Sequence, residues 1–157
     1  MSRKSAAPTL LIDADACPVK EECYRVAERY GLDVRVVANA FLRLPQDARV
    51  KLVVVSDGFD AADDWIAGHA GAHSIVITSD ILLAERCLKA GARVLAPNGK
   101  PFDAASIGSA IATRAIMQDL RDTVVGGLTG GPAPFSKADR SNFLQVLDRE
   151  VVALRKA

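Results

Sequence analysis

The chain has 157 residues, with 20 Lys and Arg against 19 Asp and Glu, a formal charge of +1. Half of it is hydrophobic and a quarter charged, an ordinary globular balance that excludes a disordered, collagenous or low-complexity chain. No apolar run approaches the roughly 20 residues that span a bilayer, and the start, MSRKSAAP, leads into an apolar stretch too short for a signal peptide.

After a flexible N-terminus at residues 1–8, TLLID (9–13) is a short apolar run of the kind that forms a buried strand. Cys17 as N-cap and Pro18 as the first helical residue, where a missing N–H costs nothing, predict a helix. Val19, Cys23, Val26, Ala27 and Tyr30 recur at helical spacing along it, and Gly31 ends it. DVRVVA (33–38) predicts a second strand; residues 39–49 fit no single element, and Pro45 permits at most a short helix. KLVVV (51–55) is a third strand, 60–70 a short helix ending at Gly71, and SIVIT (74–78) a fourth strand. Residues 81–90 form a helix closing at Gly91, and RVLA (93–96) is a fifth strand. Beyond the PNGKP turn, 103–122 reads as a long helix, 124–136 as a flexible connection and 137–155 as a final helix. Ser136 and Asp139 have the spacing of a capping box for that helix. The alternation predicts a single α/β domain over 1–157, a three-layer α/β/α arrangement on a mainly parallel sheet of about five strands.

The near-neutral total conceals a pattern. Residues 1–51 carry a local +2, residues 52–85 contain six acids and no Lys or Arg, and residues 86–157 carry +5. In an open parallel sheet, ligands bind at the carboxyl ends of the strands near the point where strand order reverses. Asp13 ends the first strand and Asp15 follows it; Asp57 follows the third strand; Asp60, Asp63 and Asp64 begin the next helix; Asp80 follows the fourth strand. These seven acids fall on one edge of the predicted sheet. Ionised carboxylates crowded together repel unless a proton or cation is shared, and oxygen ligands without a usable His suit Mg²⁺ or Mn²⁺. Simpler roles compete at several positions: Asp60 and Asp80 stand where N-caps are expected, and Asp57-Gly58 is a common turn dipeptide. Cys17 at a helix start has the setting of an activated thiol, but no His lies near it in sequence. With Cys23 and Cys87 it shows no metal-ligand spacing, and all three read as reduced thiols of a cytoplasmic protein.

Two resemblances emerge from these residues. Asp63-Asp64-Trp65-Ile66-Ala67, followed by an apolar strand and Thr78-Ser79-Asp80, resembles the metal-acid pattern of PIN-like nuclease domains. That resemblance implies metal carboxylates at Asp13, Asp63 and Asp80. The Glu that many such domains place between the first strand and the later Asp has no obvious counterpart here, and Asp15, Asp57, Asp60 or Asp64 would take its place. Over nearly the whole chain, the successive blocks IDADACPVK, SDGFDAADDWI, VITSDILLAERCLKAGA and GPAPFSKADRSNFLQVLDR are similar to the YaiI/YqxD family of bacterial proteins. This implies a PIN-like fold and names no substrate.

The leading expectation is metal-dependent hydrolysis of a phosphodiester in RNA or DNA. Asp13, Asp63 and Asp80 would hold one or two Mg²⁺ or Mn²⁺ ions, and Asp15 and Asp64 would complete the shell or orient the attacking water. Asp57 and Asp60 are additional acidic candidates. Lys20, Lys137, Arg140 and the pair Arg114 and Arg121, seven apart on one helical face, are candidates for phosphate contact, with a solvated helix face as the plainer role. LLIDADACPV also looks like the opening of a haloacid-dehalogenase phosphatase, with Asp13 as nucleophile, Asp15 as acid/base and Ser56 or Thr78 holding the phosphate. A non-catalytic, Mg²⁺-dependent nucleotide- or RNA-binding module is the third reading. All three use the same acidic edge.

Overall fold

The computed structural model describes residues 8–14, 17–56, 58, 60–108, 112 and 135–155. Its strands are β1 (Thr9–Asp13), β2 (Asp33–Ala38), β3 (Val50–Val54), β4 (Ser74–Ile77), β5 (Arg93–Leu95) and β6 (Pro101–Phe102). They form one sheet in the order β3-β2-β1-β4-β5-β6, parallel except for β6, which runs antiparallel to β5. Helices α1 (Lys20–Tyr30), α2 (Ala61–His69), α3 (Ile81–Lys89) and a C-terminal helix (Lys137–Arg155) cover it.

Successive strand side chains point to opposite faces, so TLLID sends Leu10 and Ile12 one way and Leu11 the other. Both faces are buried. Leu10, Ile12, Val34, Val36, Ile75 and Ile77 meet Cys23 and Val26 of α1 and Phe143, Leu147 and Val151 of the C-terminal helix. Leu11, Val37, Val76 and Val94 meet Ile66 of α2, Leu83 and Cys87 of α3, and Ile107. Three α/β/α layers result. Each fully buried aliphatic side chain contributes roughly 1.5–3 kcal/mol, and β4, buried at all four positions, has the composition a central parallel strand needs. Among the described residues, no helix is long and apolar enough to cross a membrane.

Most boundaries agree with the sequence reading, and the differences have local causes. α1 begins at Lys20, with Val19 and not Cys17 at the N-cap; its first backbone bond runs from the Cys23 amide to the Val19 carbonyl at 3.0 Å. Cys17 and Val19 are both buried, so the chain turns through Pro18 to insert them before the helix starts. Gly31 ends α1 in the left-handed conformation, φ 67°. β3 starts one residue earlier than predicted because Val50 pairs with Val34. The PNGKP turn yields a sixth strand: the Ala96 amide bonds the Lys100 carbonyl at 3.0 Å, closing β5 onto β6. Residues 39–49 cross from β2 to β3 without a helix. Residues 104–108 are helical, with the Asp103 carboxylate accepting the Ser106 amide at 2.7 Å. Apart from residue 112, the remainder of the predicted 103–122 helix lies outside the described residues, as do residues 124–134. The capping box is present: Ser136 Oγ accepts the Asp139 amide at 3.0 Å, and the Asp139 carboxylate accepts the Ser136 amide at 3.1 Å.

The order of strands sets the site. The chain leaves β1 toward β2 and β3 on one side, then returns to lay β4 against the other side of β1. Strand order reverses there, and the crevice beyond the carboxyl ends of β1 and β4 is where such sheets bind ligands.

Candidate active site

Asp13 is the last residue of β1 and Thr78 follows the last residue of β4, so parallel pairing of the two strands brings them side by side. The Thr78 hydroxyl donates to Asp13 Oδ2 at 2.9 Å and accepts the Asp80 amide at 3.0 Å. Thr78 is 2% exposed, and its own amide is taken up by the Leu95 carbonyl at 3.1 Å. A hydroxyl both donates and accepts, so Thr78 links the end of β1 to the start of α3.

Asp80 is the N-cap of α3: its Oδ1 accepts the Leu82 amide at 2.9 Å and the Leu83 amide at 3.2 Å. Its capping role is therefore present, and it coincides with a place on the acidic edge. Asp60 stands at the N-cap of α2, yet its side chain makes no capping hydrogen bond. Asp63, one turn later, is partly buried. Its carboxyl is pushed up to about 6, first by burial and then by the charges of Asp80, Asp13 and Asp60, with Arg86 acting in the opposite sense. Asp13, Asp60, Asp63 and Asp80, from three separate places in the sequence, thus share one electrostatic neighbourhood.

Other predicted site residues fall elsewhere. Asp64 is exposed and pairs with Arg86 across the α2–α3 surface at 3.0 Å. Asp15, Asp57, Arg114 and Arg121 lie outside the described residues. Lys20 Nζ donates to the Cys17 carbonyl at 3.0 Å. Arg140 donates to the Pro18 carbonyl at 2.6 Å, pairs with Glu22 at 3.5 Å and lies over the Phe135 ring at 5.0 Å. These contacts tie the C-terminal helix to the start of α1. Lys137 is exposed in the first turn of the same helix. A cleft of about 370 Å³, bordered by Glu21, Tyr24, Arg25, Glu28 and Asp47, is formed by α1 and the segment leading into β3, and none of the acidic-edge residues borders it.

Sequence reasoning placed Thr78 in a T-x-D pattern but missed its bond to Asp13. The signal was present, because a polar residue just past the apolar Ile75–Ile77 run of β4 needs a partner once buried. An oxygen-only donor set of this kind suits a hard divalent cation. As the side chains stand, no group of three His, Cys, Asp or Glu among the described residues is placed to hold a metal ion.

A family model described as "Uncharacterized BCR, YaiI/YqxD family" matches residues 11–153. The chain is 66% identical over 151 residues to the UPF0178 protein of Sphingopyxis alaskensis, covering 96% of this chain and 97% of the relative. It is 58% identical over 149 residues to that of Rhodospirillum centenum, covering 94% and 97%. With the Azorhizobium caulinodans protein the identity is 53% over 157 residues, covering 100% and 98%. A match over nearly the full length of every one of these proteins leaves one conclusion: the chain belongs to the YaiI/YqxD (UPF0178) family.

Proposed function

We propose that the carboxyl edge at the β1–β4 junction cleaves a phosphodiester of RNA or DNA with Mg²⁺ or Mn²⁺, as the resemblance to PIN-like nuclease domains implies, in the cytoplasm. The observation that carries this reading is the convergence of Asp13 and Asp80 on the buried Thr78 hydroxyl where β1 meets β4. Three further acids bear on one partly buried carboxylate at a reversal of strand order, an arrangement that a cation relieves.

Asp13, Asp63 and Asp80 are the residues that would hold the ion, with Asp60 in electrostatic reach. A bound divalent ion supplies an acidified water and neutralises charge on the scissile phosphate. The chain's own residues do the positioning. Thr78 fixes the rotation of the Asp13 carboxylate through Oδ2. The Leu82 and Leu83 amides hold Asp80 Oδ1. Lys137, exposed at the start of the C-terminal helix, and Lys20, at the start of α1, would meet backbone phosphates, a contact that weakens with salt.

The test is purified protein on single-stranded RNA, single-stranded DNA and a small phosphomonoester, each with Mn²⁺ and with chelator. Expected is strand cleavage that requires Mn²⁺ and falls by more than about 100-fold in Asp13→Asn, since loss of even an outer-shell partner costs 10–100-fold. Turnover of the phosphomonoester alone, through a phosphoryl group on Asp13, would replace this reading with a phosphatase. Stoichiometric RNA binding without product would replace it with a binding module.

A further inference from the structure

Helix α2 carries an aromatic pair that the acidic edge does not use. Trp65 and His69 stand four apart, the spacing that makes two side chains neighbours on a helix. Their rings stack, with centroids 3.7 Å apart and planes 14° from parallel. The His69 Nδ1–H donates to the Trp65 carbonyl at 2.7 Å, which fixes the rotation of the imidazole. Trp65 is partly buried and packs on the core beneath α2, so the lower ring is anchored, whereas His69 is exposed. The result is a flat aromatic surface held from below and open to solvent above.

The pair lies within reach of the candidate site and beside positive charge. Six residues separate His69 from Asp63, about 9 Å along the helix axis. Asp64 meets α3 through Arg86, and Trp65 and His69 stand roughly 100° and 140° further round α2, on the flank away from α3. Helix α2 packs on β1 and β2, and β3 lies beyond β2, so this flank overlooks β2 and β3. Val37 and Val53 face the core beneath α2. Arg35 and Lys51, two residues before them, share that sheet face and are register partners. Lys51 is exposed. A nucleic-acid strand leaving the acidic edge along this flank passes an open aromatic face with a cation beside it, the two elements that hold single strands.

We propose that the Trp65–His69 pair is a stacking platform for an unpaired nucleobase, with the base on the solvent face of His69 and Lys51 meeting an adjoining phosphate. The inference deepens the nuclease reading and rests on it. It makes single-stranded RNA or DNA the substrate, because a base inside a duplex is already stacked on both faces. The contact is tolerant of sequence, since every base has a π-face.

The test is binding without cleavage. Full-length protein in chelator is titrated into a fluorescein-labelled single-stranded oligoadenylate, and affinity is read by anisotropy for wild type, His69→Ala, His69→Phe and His69→Lys. His69 is exposed at the end of α2, and emission from Trp65, the single tryptophan, checks that each variant is folded. Expected is an affinity loss of about 5- to 150-fold in His69→Ala, the worth of one base stacked on an aromatic ring. Phe keeps a ring and binds like wild type; Lys keeps a cation without the ring and binds like Ala. The same oligonucleotide annealed to its complement shows no dependence on the side chain at this position. Equal affinity of wild type and His69→Ala overturns the proposal, as does full binding by His69→Lys or no binding by wild type. Cleavage in Mn²⁺ is scored separately. Cleavage by wild type with binding indifferent to His69 removes the platform alone, whereas binding that depends on His69 without any cleavage supports the platform and removes the nuclease reading.

Discussion

Thr78 donates its hydroxyl hydrogen to Asp13 Oδ2 at 2.9 Å, joining two residues 65 apart in sequence across the β1–β4 junction. The same oxygen accepts the Asp80 amide, so one buried side chain aligns two acids of the candidate site. Thr78→Val keeps the shape and removes both bonds. It is expected to lower stability by about 1–3 kcal/mol, the cost of leaving buried polar groups unpaired, and Mn²⁺-dependent cleavage by about 10–100-fold. Thr78→Ser retains both bonds and most of the activity. Urea unfolding and a cleavage assay on the two variants check this; equal losses in Val and Ser would remove the hydroxyl from the account.

Asp80 has two roles that one pair of substitutions separates. Alanine removes the cap of α3 and is expected to cost about 0.5–2 kcal/mol, whereas Asn is as good an N-cap as Asp and leaves stability near wild type. Unfolding midpoints of Asp80→Ala and Asp80→Asn report the difference directly. Matching midpoints would mean that the bonds to Leu82 and Leu83 contribute nothing to stability.

Asp63 gives a dependence on pH whose sign follows from its raised carboxyl. Between its ordinary 3.8 and about 6, the folded chain binds more protons at this position than the unfolded chain. The stability this proton contributes is fully present below that window and lost as pH rises through it. Asp63→Asn carries no charge to be penalised. The variant is expected to unfold at higher urea than wild type near pH 7.5, with the gap closing near pH 4. A gap that stays constant across this range would contradict the crowding of charges at Asp63.

The legibility of the chain tracks how local each determinant is. The five parallel strands were readable because each is a short run dominated by Val, Ile or Leu, and the C-terminal helix because Ser136 and Asp139 announce its start. The sixth strand has two residues and exists only because the turn before it folds back on β5, which no periodicity records. The helix start at Cys17-Pro18 was misplaced because burial of Val19 outweighed a favourable capping pattern. At the site, placing the acids needed only strand ends, whereas the Thr78–Asp13 bond and the Asp64–Arg86 pair depend on which elements become neighbours. Asp64 and Asp63 are adjacent in sequence and diverge in role because consecutive helical positions face different ways.

Gly99 shows the same non-local control. It has φ 90°, and a Cβ there would meet the Asn142 side chain at 2.6 Å and the Phe143 backbone at 3.0 Å. The turn needs a glycine both for its backbone and for the close approach of the C-terminal helix, where Asn142 donates to the Asn98 carbonyl at 2.9 Å. Gly99→Ala is expected to destabilise by more than about 1 kcal/mol. An unfolding midpoint equal to wild type would show that the hairpin and helix part without cost.

The most direct test of the central claim is cleavage of end-labelled single-stranded RNA and DNA by wild type and Asp80→Asn, side by side, in Mn²⁺. The variant keeps the cap of α3 and therefore the fold, and changes only the charge of the acidic edge. Metal-dependent product is expected from the wild type, with a loss of about 100-fold or more in Asp80→Asn. Equal cleavage by the two proteins, or none by the wild type on either strand, would contradict it.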